Sequence, residues 1–224
     1  MPVGFGHYRK YTIDTAVFDR MEPAAAWVLG LWLGNGCVTS NGYRASLSFG
    51  EDRDVGQKVS RIVGYSGPQV LSSCSKRCWV LEIGSAEFVA ALKRVGVEER
   101  KAKTLSLPTV DLVLLPHLVR GLLDADGCWM WHARKDRPGR QLKCTFVSAS
   151  RKAVVQVSAI ASAVTGLPPH VGERLSGHGS VVYTFTVYSR AAREFGKYLY
   201  ADSTEATRGA RKHAIWEAGC VPCP

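Results

Sequence analysis

The 224-residue chain has no apolar run of about 18 residues and no charged-then-apolar leader. These absences remove a membrane span and a secretory signal from consideration, and the expectation is an intracellular, unsecreted protein. No basic tail is present, and the six histidines show no metal-ligand spacing. The cysteines number seven, an odd count, and Cys37, Cys128 and Cys144 have apolar neighbours, so reduced thiols are expected rather than a disulfide framework. Cys74 and Cys78 could join Cys220 and Cys223 in a four-thiolate zinc site. The first pair, however, is separated by three residues in a hairpin turn, and unrelated thiols are the default reading.

What the chain has is positive charge. The formal net charge is +10, with a surplus of four basic residues in residues 1–110 and of six in residues 111–224. A surplus spread along a chain that is 46% hydrophobic describes a folded body with a cationic face. Nucleic acid is the usual partner for such a face.

The chain also repeats itself. "AWVLGLWLGNG" (26–36) resembles "HLVRGLLDADG" (117–127) at an offset of 91 residues, aligning Gly30 with Gly121 and Gly36 with Gly127. Each copy leads into two alternating runs around a turn, Asn41-Gly42 in the first and a Pro-Gly loop in the second. Each half continues with a helical pattern ending on glycine (Gly64, Gly166), a second hairpin, and an amphipathic helix with Ser85 or Ser189 as N-cap. Both halves therefore read helix, hairpin, helix, hairpin, helix, and they should form a pseudo-twofold pair in one chain. The divisions are an N-terminal extension (1–23), a first repeat (24–100), a linker (101–111), a second repeat (112–200) and a C-terminal helix and tail (201–224).

Gly30 and Gly34 in one motif helix, and Gly121 and Ala125 in the other, lie four residues apart on one face. Small residues at that spacing let two backbones approach closely. If this face is the pseudo-twofold axis, Asn35 and Asp126 become neighbours. Adjacent oxygen ligands in a cationic protein suit a hard cation such as magnesium, which activates water and stabilises charge on a scissile phosphate.

"LVRGLLDADG", with its degenerate partner "WVLGLWLGNG", resembles the LAGLIDADG homing endonucleases in their single-chain, two-motif form. "KAKTLSLP" resembles that family's inter-repeat connection, and "YLYADSTEATRGARKHAIW" its C-terminal segment. The resemblance spans residues 24–216. It implies an α+β fold of two αββαββα repeats, each with a four-stranded antiparallel sheet, forming a DNA-binding saddle around two central packed helices. It also implies site-specific cleavage of both strands of a long double-stranded DNA site, of the intron-homing type, by a monomer using Mg2+ or another divalent cation such as Mn2+ or Ca2+. Carried over by position, the catalytic acids fall at Asp126 and position 35, with Gly34 and Ala125 beside them as metal ligands. Asp124 aligns with Leu33, which implies a structural role.

Position 35 departs from the pattern. An asparagine oxygen is neutral and leaves the site one negative charge short. Three readings stay open: an engineered change that traps uncleaved DNA, natural degeneration to a nickase or a binder, and a natural site working with one carboxylate. Impaired or single-strand cleavage is expected. The alternative is a catalytically inactive DNA- or RNA-binding protein on the same fold, an intron maturase or a regulator, with intron RNA as a possible partner. Beginning at Met1 without a splicing nucleophile, the chain reads as free-standing.

Strand alternation nominates the DNA-contacting side chains. In "YRASLSF", Tyr43, Ala45, Leu47 and Phe49 form the apolar face and Arg44, Ser46 and Ser48 the open one. In "RQLKCTF", Gln141, Lys143 and Thr145 face out; in "VYTFTVY", Thr184, Thr186 and Tyr188 do. An ordinary solvated sheet would look the same residue by residue. Lys76, Arg77, Arg134, Lys135, Arg137 and Arg140, in loops, are candidates for phosphate contacts. His132 and His178, near hairpins, are further candidates for DNA contact. The candidates for the family's water-ordering basic residue are Lys143 and Arg44. Trp27, Trp32 and Trp79 read as core.

Overall fold

The computed structural model describes residues 10–50, 52–72, 75–133, 139–177 and 179–220, with 75–77 described for their backbone. The first repeat runs α1 (Pro23–Asn35), β1 (Gly36–Val38), β2 (Arg44–Ser48), α2 (Arg53–Ile62), β3 (Gln69–Ser72), β4 (Ser75–Gly84) and α3 (Ala86–Arg94). The second runs α4 (Leu115–Asp126), β5 (Gly127–Ala133), β6 (Arg140–Ser148), α5 (Arg151–Thr165), β7 (His170–Leu175), β8 (Val181–Tyr188) and α6 (Ser189–Tyr200). A 3-10 turn at Glu205–Thr207 and α7 (Ala210–Cys220) complete the described chain. Two antiparallel sheets share one order, β1-β2-β4-β3 and β5-β6-β8-β7. The expected αββαββα repeat, twice over, is the fold. Among the described residues no helix is long and apolar enough to cross a membrane.

Helices α1 and α4 occupy the centre because nothing else can cover them. Nine consecutive residues of α1, Ala25 to Leu33, are buried. A helix apolar on every side is stable only when surrounded. The two helices abut through Gly30 and Gly121. A Cβ on Gly30 would sit 2.1 Å from the Leu118 carbonyl oxygen, and one on Gly121 would sit 2.0 Å from that of Trp27. The backbones themselves are in contact there, and only glycine allows it.

Each sheet presents one face to helices and leaves the other open. Ala45, Leu47, Leu142, Cys144, Phe146 and Phe185 are almost fully buried on the covered faces, as alternation requires. Ser85 caps α3, accepting from the Phe88 N–H at 3.1 Å. Gly166 ends α5 in the left-handed conformation, and Gly64 follows α2 at φ +60°.

Three expectations need correction. Ser189 is not an N-cap: it is the first residue of α6, at φ +49°, and its hydroxyl donates to Gln141 Oε1 at 2.8 Å. The chain turns so sharply out of β8 that Tyr188 takes the cap position, without a side-chain cap bond. Tyr43 lies in the turn before β2, two-thirds exposed, and not on its apolar face. Of the three cysteines with apolar sequence neighbours, only Cys144 is buried, whereas Cys37 is exposed because β1 points it to the open side.

The linker is fastened to the second repeat. Gln156 accepts from the Leu107 N–H at 2.9 Å, and the Ser150 hydroxyl donates to the Leu105 carbonyl at 2.6 Å. From the other end of the chain, the residues before and within α7 cross back to both repeats. Arg211 grips Asp52 of the first repeat with two hydrogen bonds, at 2.7 and 2.8 Å.

Candidate functional site: the ends of the two central helices

Helices α1 and α4 stop together, at Asn35 and Asp126, and each passes directly into the first strand of its sheet. The Asn35 amide donates to the Ala125 carbonyl at 3.3 Å. A Cβ on Gly34 would lie 2.5 Å from Ala125 Cβ and 3.3 Å from Asp126 Oδ2. Positions 34, 35, 125 and 126 thus form one cluster between the sheets, with Asn35 and Asp126 both exposed.

Two cavities flank this cluster in a pseudo-symmetric way. The larger, about 440 Å³, is lined from the first repeat by Asn35, Ser48 and Asp52, from the second by Asp124 and Ala125, and from α7 by Lys212. The other, about 400 Å³, is lined by Gly34, Asn35, Cys37 and Lys101 and, across the axis, by Asp126 and Ser148. Each cavity therefore combines the last residue of a strand from one repeat with a lysine from the segment that follows the other. Asn35 borders both. Asp126 borders only the second.

The lysines do the same local job. Lys101 donates to the Gly36 carbonyl at the end of α1. Lys212 donates to the carbonyls of Leu123, Asp124 and Ala125, at 2.8, 2.6 and 3.4 Å, at the end of α4. Free carbonyls and the negative end of the helix dipole attract cations there. Burial lowers the pKa of both ammonium groups, against the opposing pull of nearby carboxylates. Neither lysine was singled out from the sequence, yet each lies in a segment that carried the family resemblance, "KAKTLSLP" and "ATRGARKHAIW".

The two acids of the second motif have different surroundings. Asp124 is buried; its Oδ2 accepts from Trp27 Nε1 at 2.8 Å and from the Gly209 N–H at 2.9 Å. It joins α1, α4 and the start of α7, a structural position. Burial raises its pKa, against the Trp27 hydrogen bond and the Lys212 charge. Asp126 reaches solvent, but the protein packed around its carboxyl raises its pKa, with Lys212 and Lys101 pulling the other way. Arg120, fully buried, clamps the turn before α7 to α4 through the Thr207 carbonyl at 2.9 Å, and burial pushes its pKa down to about 10.

No family model and no curated protein matches the chain. Solved structures do. The chain is similar to the LAGLIDADG meganuclease I-AabMI bound to uncleaved DNA, at 14% identity and a TM-score of 0.54, over 89% of each chain. It is similar to the LAGLIDADG homing endonuclease I-GzeII in complex with its DNA target, at 8% identity and 0.57, over 88% of this chain and 89% of that one. It is also similar to the homing endonuclease I-WcaI bound to its DNA recognition sequence, at 11% and 0.54, over 94% and 95%. The fold is that of the LAGLIDADG homing endonucleases. At these identities the fold is what is shared.

Within the LAGLIDADG frame, the nominated residues divide into groups. Arg44, Ser46, Ser48, Arg140, Gln141, Lys143, Thr145 and Thr184 are exposed or half-buried. Thr186 departs from the expectation of an open residue: it is 6% exposed, and its hydroxyl lies 3.1 Å from that of Thr145, inside the sheet's side-chain ladder. Lys143 and Arg44, the guessed water-ordering residues, line neither central cavity. Lys143 lies over the Tyr188 ring, and Arg44 stands at the far end of β2. Trp27 and Trp32 are core, although Trp27 also holds Asp124. Arg134, Lys135, Arg137, His178, Cys74 and Cys223 lie outside the described residues, as do the side chains of Lys76 and Arg77. Among the described residues no group of three or more His, Cys, Asp or Glu could hold a metal ion.

The donor set decides where a hard cation fits best. On the Asp126 side, one carboxylate and the backbone carbonyl of Gly34 provide oxygen ligands suited to one hard cation, whereas the Ala125 carbonyl belongs to the other cavity and already accepts from Asn35 and Lys212. On the Asn35 side, the side chain turns a neutral N–H donor toward the Ala125 carbonyl. Asp52 and Asp124 also line the cavity there, but Asp52 is paired with Arg211 and Asp124 Oδ2 holds Trp27 and the Gly209 N–H. The Asn35 side is therefore the weaker of the two cation sites.

Proposed function

We propose that the chain binds double-stranded DNA across its two open sheet faces and hydrolyses one strand, as a nicking endonuclease built on a two-strand cutter's frame. The observation that carries this reading is the asymmetry of the two helix ends: Asp126 faces one cavity beside Lys101, whereas the matching residue of the other helix, which meets the cavity of Lys212, is the neutral Asn35. A magnesium or manganese ion held by Asp126 with the Gly34 carbonyl would supply an activated water and stabilise charge on the scissile phosphate. Lys101 contributes a fixed cation beside that phosphate, and its lowered pKa makes it a readier proton carrier than a surface lysine. Lys212 does the same on the other side, where the motif residue opposite it is the neutral Asn35 and the carboxylates that line the cavity, Asp52 and Asp124, are taken up by Arg211 and by Trp27 with the Gly209 N–H. The cationic surface steers the duplex on, in a salt-dependent way. The chain works as a monomer, its two repeats standing in for two subunits.

A second reading has a specific observation behind it. The Asn35 amide already occupies the Ala125 carbonyl, which suits a protein that binds nucleic acid without cutting it, such as a maturase or a regulator.

Selection of bound fragments from a random duplex library, followed by cleavage of a supercoiled plasmid carrying the winner, separates these readings. With Mg2+, the wild type should convert the plasmid to open circles, Asn35→Asp should add linear product, and Asp126→Asn should abolish both. If neither wild type nor Asn35→Asp cuts, the endonuclease reading fails. Preference for structured intron RNA over any duplex would favour the maturase. Because the Asp126 pKa is raised above its unfolded value, the ionised carboxyl costs stability as pH rises above about 4. Asp126→Asn should accordingly not lower Tm at pH 7, so lost cleavage in that variant is not lost folding.

A further inference from the structure

We infer that the two halves of the DNA site are read unequally, with the β5–β8 sheet reading a longer, more discriminating half-site than the β1–β4 sheet. The inference rests on the DNA-binding reading above. It comes from strand register and from the chemistry of the two open faces.

The ladders differ in extent. β1 pairs with β2 over three residues, whereas β5 pairs with β6 over seven. β2 has five residues and β6 has nine. At about 3.3 Å per residue, β6 spans roughly 30 Å and β2 roughly 17 Å. Against a base-pair rise of about 3.4 Å, these lengths cover about nine and about five base pairs. β4 is ten residues long, but β2 flanks it only from Val80 to Gly84, and β3 only up to Leu81. The first sheet is staggered: only the row through Leu81 spans all four strands, and the ladder of β2 covers five positions of β4.

The open faces differ in character too. Cross-strand partners share a face, so register assigns each side chain. Gln141 opposes His132, Lys143 opposes Met130 and Tyr188, Thr184 opposes Gly172, and Arg174 opposes Val182. Among the described residues, this face has bases, an amide and hydroxyls but no carboxylate. On the first sheet the exposed Arg44 opposes Gly84, Ser46 opposes Glu82, and Ser48 opposes Val80, which opposes Val70. Glu82, exposed between the buried Leu81 and Ile83, places a negative charge in the middle of the shorter face. A carboxylate there repels phosphates and accepts only from an exposed amino group, that of cytosine in particular. Among the described residues, the longer face carries more of the side chains that discriminate bases by donating, His132, Gln141, Lys143 and Arg174 against Arg44 on the shorter one.

The test is the same random-duplex selection read for base preference by position, with the wild type and with Lys143→Ala and Glu82→Gln. The expected winner has a block of about nine strongly preferred positions and, beyond the centre, a block of about five. Lys143→Ala should relax a position in the long block and weaken that duplex roughly tenfold or more. Glu82→Gln should strengthen binding of unselected duplex several-fold and lose a preference in the short block. Melting curves check that both variants fold. Two equal blocks, or effects of the two substitutions landing in the opposite blocks, would overturn the inference while leaving DNA binding intact. Salt-independent binding with no selected duplex would overturn both.

Discussion

The ends of α1 and α4 have the same backbone geometry, each closed by a glycine and a lysine, Lys101 half-buried and Lys212 buried, but different side chains. At the position where α4 has Asp124, α1 has Leu33, and the chemistry around them differs accordingly. Leu33 is simply buried, 1% exposed. Asp124 receives the Gly209 N–H just ahead of α7, where a carboxylate also meets the positive end of that helix's dipole. The first repeat has no helix after α3 in the place that α7 takes after α6. An acid at a helix C-terminus is unfavourable on its own helix; Asp124 is retained where there is a second helix to hold. The comparison separates two roles that the motif writes side by side: Asp124 fastens, and Asp126 faces the cavity.

The sharpest way to break this comparison is Asp124→Ala. It leaves Trp27 Nε1 and the Gly209 N–H without their acceptor, and should cost about 2–4 kcal/mol by chemical denaturation. Hydrogen exchange should rise first in the Gly209–Cys220 segment. A uniform rise across α1 and α4 would mean that Asp124 does not fasten α7 in particular. Gly121→Ala comes next. It forces a methyl against the Trp27 carbonyl of the opposing helix and should cost about 1–3 kcal/mol, read as a Tm fall of roughly 3–10 °C. An unchanged Tm would mean that the helices are not in backbone contact. The smallest effect compares the third helices of the two repeats. Ser85→Ala removes a true cap and should cost about 1 kcal/mol, while Ser189→Ala loses only a half-buried hydroxyl bond and should cost less. Equal losses would restore Ser189 as a cap.

Most of the architecture was legible in the sequence because it is written as period and punctuation. The repeat of apolar helix and hairpin placed both sheets, and alternation in "RQLKCTF" assigned Leu142, Cys144 and Phe146 to the core. The small residues at 30, 34, 121 and 125 anticipated the helix contact. The site was legible only where the motif is continuous. Lys101 is 65 residues from the carbonyl it meets and Lys212 is 87 to 89 from its three, and among 29 basic residues nothing local distinguishes them. Ser189 failed as a cap for a similar reason: its neighbour Gln141 comes from another strand.

By itself the sequence determined what local physics can enforce: which segments become helix or strand, which faces are apolar, and where two helices can touch through glycine. It also determined that position 35 carries no charge. Only the tertiary structure decided which lysines reach the helix ends, that Asp124 holds α7, that Thr186 is hidden, and that the two open faces differ in length and charge. Those outcomes depend on segments far apart in sequence meeting under a shared core, and burial and hydrogen bonding between them are set by that meeting alone.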